Sequence, residues 1–216
     1  MTMQVLGISG SPVRNSNTDR LVQYILAATG LETEFIKLSD YRVRPCRACL
    51  GCAADNICKQ VDDFQNLAPK VREARALVVG GYPPYGMLDG FTKAFLERLY
   101  SLRHRNMLNK GKLGVAVTTG MGGEAPGLRE ANDQIAHVMT MEGMEVIARL
   151  EARGNLTCLV CGQGETCPIS GIPKFFGDRE VSEERLTRVE QQPVWQSARE
   201  TGMEIGRRLE QQSDNK

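Results

Sequence analysis

A doubly wound α/β fold on a five-stranded parallel sheet is the architecture this sequence predicts, and three observations predict it. Five short apolar segments are each followed by a helical pattern, the alternation that parallel strands with crossover helices require. One of them, Ala76-Leu77-Val78-Val79-Gly80-Gly81, is an unbroken apolar run, as a strand covered on both faces must be. Loops of small, polar or ring-bearing residues follow the first, third and fourth segments, at the strand ends where such sheets collect ligands.

The elements can be justified in order. Met3 to Ile8 reads as the first strand, Gly10 to Thr18 as its exit loop, and Asp19 to Ala28 takes helical spacing through Leu21, Ile25 and Ala28. Strand, small polar loop, helix is a phosphate-binding layout, because hydroxyls, backbone N–H groups and a helix N-terminus face the same anion. Ser16, Asn17 and Thr18 serve equally well as ordinary helix caps. Thr33 to Leu38 alternates as the second strand, and a helix follows from about Val61 to Ala74, with Pro69 near a bend or its start.

The third strand leads into Tyr82-Pro83-Pro84-Tyr85-Gly86-Met87-Leu88-Asp89-Gly90, then a helix from Phe91 to Leu102. Such a stiff aromatic loop can offer backbone groups to the edge of a flat ring and apolar surface to its face, or can simply punctuate a turn. Lys112 to Thr119 is the fourth strand and Gly120-Met121-Gly122-Gly123-Glu124 its exit, before a helix from Gly127 to Glu142 and a fifth strand from Met144 to Leu150. About forty residues without evident regular structure separate that strand from a closing helix, Pro193 to Leu209, whose inward face is read as Trp195, Ala198, Met203 and Ile205. His104 and His137 have no partner at triad or metal spacing and read as ordinary helical residues.

The 216 residues suit one domain, 1–216, with a cysteine loop at 40–60 and an insertion at 151–192. A net charge of +1, from 27 basic and 26 acidic residues, speaks against a nucleic-acid partner, which needs a clustered basic excess. No apolar run reaches membrane length and the N-terminus enters a strand pattern at once, so the expected place is the cytoplasm, with no membrane partner.

Seven cysteines fall into two groups: Cys46, Cys49, Cys52 and Cys58, then Cys158, Cys161 and Cys167. An odd number in this grouping fits metal or redox chemistry in a reducing compartment better than a disulfide framework. The C-x2-C-x2-C-x5-C run points to an iron–sulfur cluster, with a zinc clip as the alternative, because thiolates are the ligands both select. The flanking Arg42, Arg44 and Arg47 can offset the charge of a thiolate-bound centre, or form a solvated face. The C-x2-C-x5-C group admits a second cluster with a non-cysteine or external fourth ligand, a zinc ion, or unmetallated thiols.

With phosphate loop, aromatic loop and glycine loop on a parallel sheet, the chain resembles the NAD(P)H-dependent FMN reductases of the flavodoxin-like fold. Its compact cysteine run after the second strand is similar to that of the iron–sulfur flavoproteins of anaerobic archaea and bacteria. The resemblance covers roughly residues 1 to 150 and the last helix. It implies the strand order 2-1-3-4-5, and FMN held at its phosphate by Ser9, Ser11, Ser16, Asn17 and Thr18. Arg14 is the loop's cation; many relatives carry one directly after the Ser-Pro pair, where Val13 stands here.

Pro83, Pro84, Tyr85, Gly86 and Met87 would line the isoalloxazine, with Thr119, Gly120, Met121, Gly122 and Gly123 on its other side. Cys46, Cys49, Cys52 and Cys58 would ligate a 4Fe-4S cluster, in a homodimer or homotetramer that sets one subunit's cluster near another's flavin.

The expected function is electron transfer between a two-electron donor such as NAD(P)H and one-electron carriers such as a ferredoxin-like partner, with no residue acting as general acid or base. The alternatives are an NAD(P)H-dependent FMN or quinone reductase with structural zinc, and a non-enzymatic redox or metal sensor. In the order 2-1-3-4-5 the loops after strands two and five lie roughly 19 Å apart. One chain should therefore not pool all seven thiols, although a relay across an oligomer interface is compatible with that spacing.

Overall fold

The computed structural model describes residues 3–121 and 127–214. Its elements are β1 (Val5–Ser9), α1 (Asn17–Ala28), β2 (Thr33–Lys37), α2 (Phe64–Glu73), β3 (Ala76–Gly81), α3 (Gly90–Arg103), β4 (Leu113–Gly120), α4 (Leu128–Met141), β5 (Glu145–Arg153), a short α5 (Ile172–Phe176) and α6 (Pro193–Asp214). The sheet runs β2-β1-β3-β4-β5 with every neighbouring pair parallel, the flavodoxin-like order. The chain crosses to opposite sides of the sheet about β1, so the loops after β1 and β3 diverge, the place where such sheets hold a ligand, while the strands themselves stay paired to Ser9 and Gly80.

Period-two alternation sorts the core onto two faces. Leu6, Ile8, Leu77 and Val79 pack with Phe64 of α2, Phe95 and Leu99 of α3, and Ile135 of α4. Val5, Val78, Val115 and Val117 turn the other way, against Leu21 and Ile25 of α1 and Ile205 and Leu209 of α6. Each fully buried side chain of this size contributes about 1.5–3 kcal/mol, so these layers hold the strand ends in place beneath the loops. Helices α1 and α6 lie flush because Gly202 and Gly206 carry no side chain; a Cβ at either would collide with the carbonyl oxygens of Ile25 and Thr29.

The structure departs from the sequence reading at element ends. Helix α1 starts at Asn17, since Ser16 caps it. Helix α2 starts at Phe64, because Asp62 and Asp63 are drawn into hydrogen bonds with the backbone of Arg44 and Arg42, at 3.0 and 2.6 Å. Pro69 lies inside that helix and not at its start.

In α6 the inward stripe is Ala198, Thr201, Ile205 and Leu209, while Met203 is 52% exposed. Trp195 stacks on Tyr24 with ring centroids 3.8 Å apart. The long connection after β5 is structured, with α5 and turns of 3-10 helix at Thr157–Leu159, Glu183–Arg185 and Val189–Gln191 set around buried Leu159, Ile172 and Val189. Such short turns carry no periodicity for a sequence pattern to reveal.

Candidate functional site

Residues 10–16 carry the chain from β1 to α1. The Ser16 Oγ accepts the Asp19 N–H at 3.1 Å while the Asp19 carboxylate accepts the Ser16 N–H at 3.2 Å, a capping box that fixes the start of a twelve-residue helix. Ser9 Oγ donates to the same carboxylate at 2.6 Å, and Lys37 Nζ, from the end of β2, pairs with it at 2.6 Å and donates to the Val13 carbonyl at 2.8 Å. Asp19 and Lys37 thus brace the loop and offset each other's charge. A phosphate here would meet loop amides, the positive end of α1 and the exposed Arg14.

Ser11 is buried and gives its N–H to Ser9 Oγ at 3.3 Å. The Thr18 and Thr119 hydroxyls share a buried hydrogen bond of 2.5 Å, tying α1 to the end of β4. Asn17 serves a different neighbour: its amide donates to the Thr187 carbonyl at 3.0 Å and its oxygen accepts the Val189 N–H at 3.3 Å.

At the exit of β3, buried Asp89 accepts the N–H of Tyr82 at 3.1 Å and the N–H and hydroxyl of Thr92, each at 2.8 Å, so it caps α3 and pinches the base of the aromatic loop. Burial pushes its carboxyl up, against the pull of those donors. Beyond the pinch, Tyr85 is fully exposed with φ of 54°, a left-handed conformation that costs a non-glycine residue roughly 1–2 kcal/mol. Gly86 and Met87 continue the loop, and Met87 is also exposed.

Pro83 sits against Gly120, where a Cβ would come within 2.9 Å of its ring, and a Cβ at Gly127 would strike the Gly86 backbone. Gly154 donates its N–H to the Gly120 carbonyl at 2.5 Å, bringing the start of the long connection to the same rim. Met121 is exposed there; Gly122 and Gly123 lie outside the described residues. The loops of β1 and β3 and the end of β4 at Gly120 therefore share one edge of the sheet, as a flat cofactor with a phosphate tail requires.

The cysteine loop leaves β2, next to β1. Ala48, Leu50 and Asn56 have φ of 51°, 56° and 58°, and these left-handed turns fold the run back on itself. Cys46, Cys49, Cys52 and Cys58 all line one concavity, together with Arg47, Arg98, Tyr100 and His104. Burial pushes the Cys52 thiol up against a local backbone hydrogen bond, and Cys58, Cys46 and Cys49 add to the rise.

Arg98 of α3 is 1% exposed and donates to Cys58 Sγ at 3.2 Å, to Asp62 at 2.5 Å and to the Arg44 carbonyl at 3.0 Å. Its guanidinium also lies 4.6 Å from the centre of the Phe64 ring. Burial would push the Asp62 carboxyl up, but Arg98, the Arg44 N–H and Gln60 hold it at about 2. The Asn56 amide donates to the carbonyls of Ser101, at 3.2 Å, and His104, stitching the loop to the end of α3. Among the described residues no three His, Cys, Asp or Glu side chains stand at the spacing of a single metal ion. The chemistry of the donor set, four thiols around one hollow with a guanidinium on one sulfur, suits a soft, negatively charged cluster.

Residues 3–152 match the family model for NADPH-dependent FMN reductase. Over 159 residues the chain is 31% identical to the iron-sulfur flavoprotein of Methanosarcina thermophila, spanning 72% of this chain and 82% of that protein. The chain belongs to the iron–sulfur flavoproteins of the FMN reductase family. It is 34% identical over 148 residues to the iron-sulfur flavoprotein of Methanocaldococcus jannaschii, spanning 65% of this chain and 76% of that one.

Solved structures share the fold. RosB, holding the intermediate 8-demethyl-8-formylriboflavin-5'-phosphate, superposes with a TM-score of 0.61 at 15% identity over 97% of this chain and 81% of its own. A flavodoxin from the Archaea gives 0.52 at 16% identity, over 96% and 99%. This iron–sulfur flavoprotein is thus an FMN-dependent redox protein, and among its described residues no helix is long and apolar enough to cross a membrane.

The second cysteine group lies beyond the residues matched to the family. Cys158 Sγ accepts the Gly171 N–H at 3.3 Å, Cys161 Sγ accepts the Gln163 N–H at 3.4 Å, and Arg179 donates to the Cys167 carbonyl at 2.9 Å. Several residues that build this flavoprotein's sites escaped the sequence reading. Asp19 and Asp89 had a local signal, an acid three residues after Ser16 and an acid three before Thr92 at a helix start. Lys37, Asp62 and Arg98 had none.

The cation on the Cys58 sulfur comes from α3 and not from the arginine run, where Arg44 turns to the Val61 carbonyl at 2.7 Å and Arg47 lines the hollow. His104, read as ordinary, faces that hollow in edge contact with Tyr100, centroids 4.3 Å apart.

Proposed function

We propose that this flavoprotein passes electrons between a two-electron donor, NAD(P)H among the candidates, and one-electron carriers of the ferredoxin class. The crevice formed by the loops of β1, β3 and β4 holds FMN, and Cys46, Cys49, Cys52 and Cys58 hold a 4Fe-4S cluster. The observation that carries the reading is that four thiols line one hollow on the loop after β2, the strand beside the crevice. Bound FMN supplies exchange of one or two electrons, and a cluster supplies exchange of one.

The chain's own residues bind and place these groups. The capped start of α1, Ser11 and Arg14 receive the phosphate, while the Asp19–Lys37 pair keeps the loop in shape without adding net charge. Asp89 holds the Tyr85 loop open, and the glycine contacts at Gly120 and Gly127 keep the two walls close enough for a flat ring. Arg98 gives a hydrogen bond to Cys58, which lowers the cost of gathering thiolates in one hollow. Residues 1–216 work as one flavin-binding unit in a homo-oligomer, where the exposed Leu50, Tyr85 and Met87 bring one subunit's cluster toward another's flavin.

Anaerobic purification tests the proposal. Brown protein with about four iron and four sulfide per chain for the first site, and FMN released on denaturation, is the expected result. A colourless or purely yellow preparation holding zinc and no sulfide overturns it in favour of a reductase with a structural metal clip.

A further inference from the structure

We infer that Arg98 raises the reduction potential of the centre in the four-cysteine hollow through its hydrogen bond to the Cys58 sulfur, and that Asp62 holds this effect in check. This role rests on the reading of that hollow as an iron–sulfur site. Helix α3 serves both ends of the cysteine run from adjacent residues: Glu97 accepts the Cys46 N–H at 3.2 Å, and Arg98 donates to Cys58 Sγ at 3.2 Å. Among the described residues the other hydrogen bond onto these four sulfurs is local and longer, from the Ala48 N–H to Cys46 Sγ at 3.5 Å. The charged donor, and the one from outside the loop, is Arg98.

The guanidinium has little freedom to choose another target. Its Nη1 is shared between the Asp62 carboxylate at 2.5 Å and the Arg44 carbonyl at 3.0 Å, and its carbon lies 4.6 Å from the centre of the buried Phe64 ring. Asp62 is fixed in turn by the N–H groups of Arg44 and Phe64, at 3.0 and 3.1 Å, and by Gln60 Nε2 at 3.1 Å. With Nη1 pinned, the planar fork leaves Nη2 on the sulfur. One donor is left over, since Arg98 Nε is buried and has no partner among the described residues, although Arg98 lines the hollow. A buried N–H is costly to leave unpaired, so the orphan speaks for an acceptor brought by the hollow's occupant. A sulfur-rich, negatively charged cluster is such an occupant.

Uptake of one electron from a flavin-class donor forms and breaks no bond here; it makes the contents of the hollow more negative by one charge. A donor on a ligating sulfur and a cation beside it both favour that state, which raises the potential. Asp62 works the other way, because its carboxylate cancels the arginine's charge and leaves the sulfur an N–H with little net field. Burial strengthens both influences: the Arg98 side chain is 1% exposed and that of Asp62 0%. The two partners of one ion pair therefore move the same potential in opposite senses.

The test is a redox titration of the full chain, purified anaerobically and followed by EPR of the reduced cluster. Asp62→Asn removes the opposing charge, leaves the Cys58 bond, and should raise the one-electron reduction equilibrium about tenfold, or about 59 mV. Arg98→Leu combined with Asp62→Asn removes the donor without stranding a charge and should lower the equilibrium below that of the wild type by a similar factor. A merely structural role moves both variants the same way or neither, and either result overturns the tuning role. A second measurement needs neither variant to fold. In protein carrying heavy nitrogen only in its arginine guanidinium groups, with the exposed Arg47 changed by Arg47→Lys so that Arg98 is the arginine left lining the hollow, pulsed EPR should show coupling of that nitrogen to the reduced cluster; its absence overturns the contact. Wild-type protein purified without iron and sulfide overturns the cluster reading and this role with it, an outcome that metal analysis tells apart before any titration.

Discussion

The loop of Cys46 to Cys58 and the loop of Cys158 to Cys167 reach order by opposite means. The first is sewn into the core: Arg98 and Asp62, both almost wholly buried, meet beneath it, and Asn56 binds two carbonyls at the end of α3. The second is laced mainly to itself, by amide bonds to its own sulfurs and by the partly exposed Arg185–Asp178 pair. Removing a partner from a buried pair leaves a charge without compensation, whereas a surface pair is screened by water. The first loop should therefore hold its shape the more firmly, and the second should be the more easily loosened.

The largest expected effect comes from breaking the first anchor. Arg98→Ala should cost about 3–5 kcal/mol in urea denaturation, by stranding Asp62, and should loosen the four-cysteine loop as well. A loss near that of a surface substitution would mean that the two loops are anchored alike.

A pH series sharpens the contrast next, because Glu142 borders the groove that runs from Cys46 between α3 and α4. Burial pushes Glu142 up to about 7 against its Asn109 hydrogen bond, so the folded chain keeps a proton that the unfolded chain releases near 4.5. Its contribution is full below that lower value and is lost as pH rises through 7, by up to about 3 kcal/mol. Glu142→Gln should flatten the decline, and an unchanged stability curve would reject that assignment.

Asn56→Ala removes two donors from buried carbonyls and should cost about 1–3 kcal/mol, read in the same denaturation. The smallest effect belongs to the second loop: Asp178→Ala should leave the melting temperature unmoved while speeding protease nicking within 160–185. A clear drop in melting temperature would show that this loop, too, is tied to the core.

Strand number and exit loops were legible because each rests on a local pattern, the unbroken run of β3, the small residues after β1, the rings after β3, whereas the strand order came only with the family resemblance. The four-cysteine run was legible by spacing alone. What spacing cannot show is which distant side chain arrives to serve it. Arg98 stands forty residues from Cys58, and Asn17 meets Thr187 across 170 residues of chain, so neither contact leaves a trace in its own neighbourhood. The inward stripe of α6 was misphased at Met203 because Gly202 and Gly206, small enough to vanish from a hydrophobic pattern, mark the face that docks on α1.

That docking has a consequence for the order in which the molecule is made. Asn17 leaves the ribosome early, but Thr187 and Val189 follow some 170 residues later, and the helix that seats them against α1 comes after them. Helices and early strands can gather during synthesis, since domains organise from the N-terminal side. The clasp on Asn17 cannot close until α6 has been translated and has found its groove. During synthesis the mouth of the crevice therefore stands unfastened, and it is fastened only in a nearly finished chain.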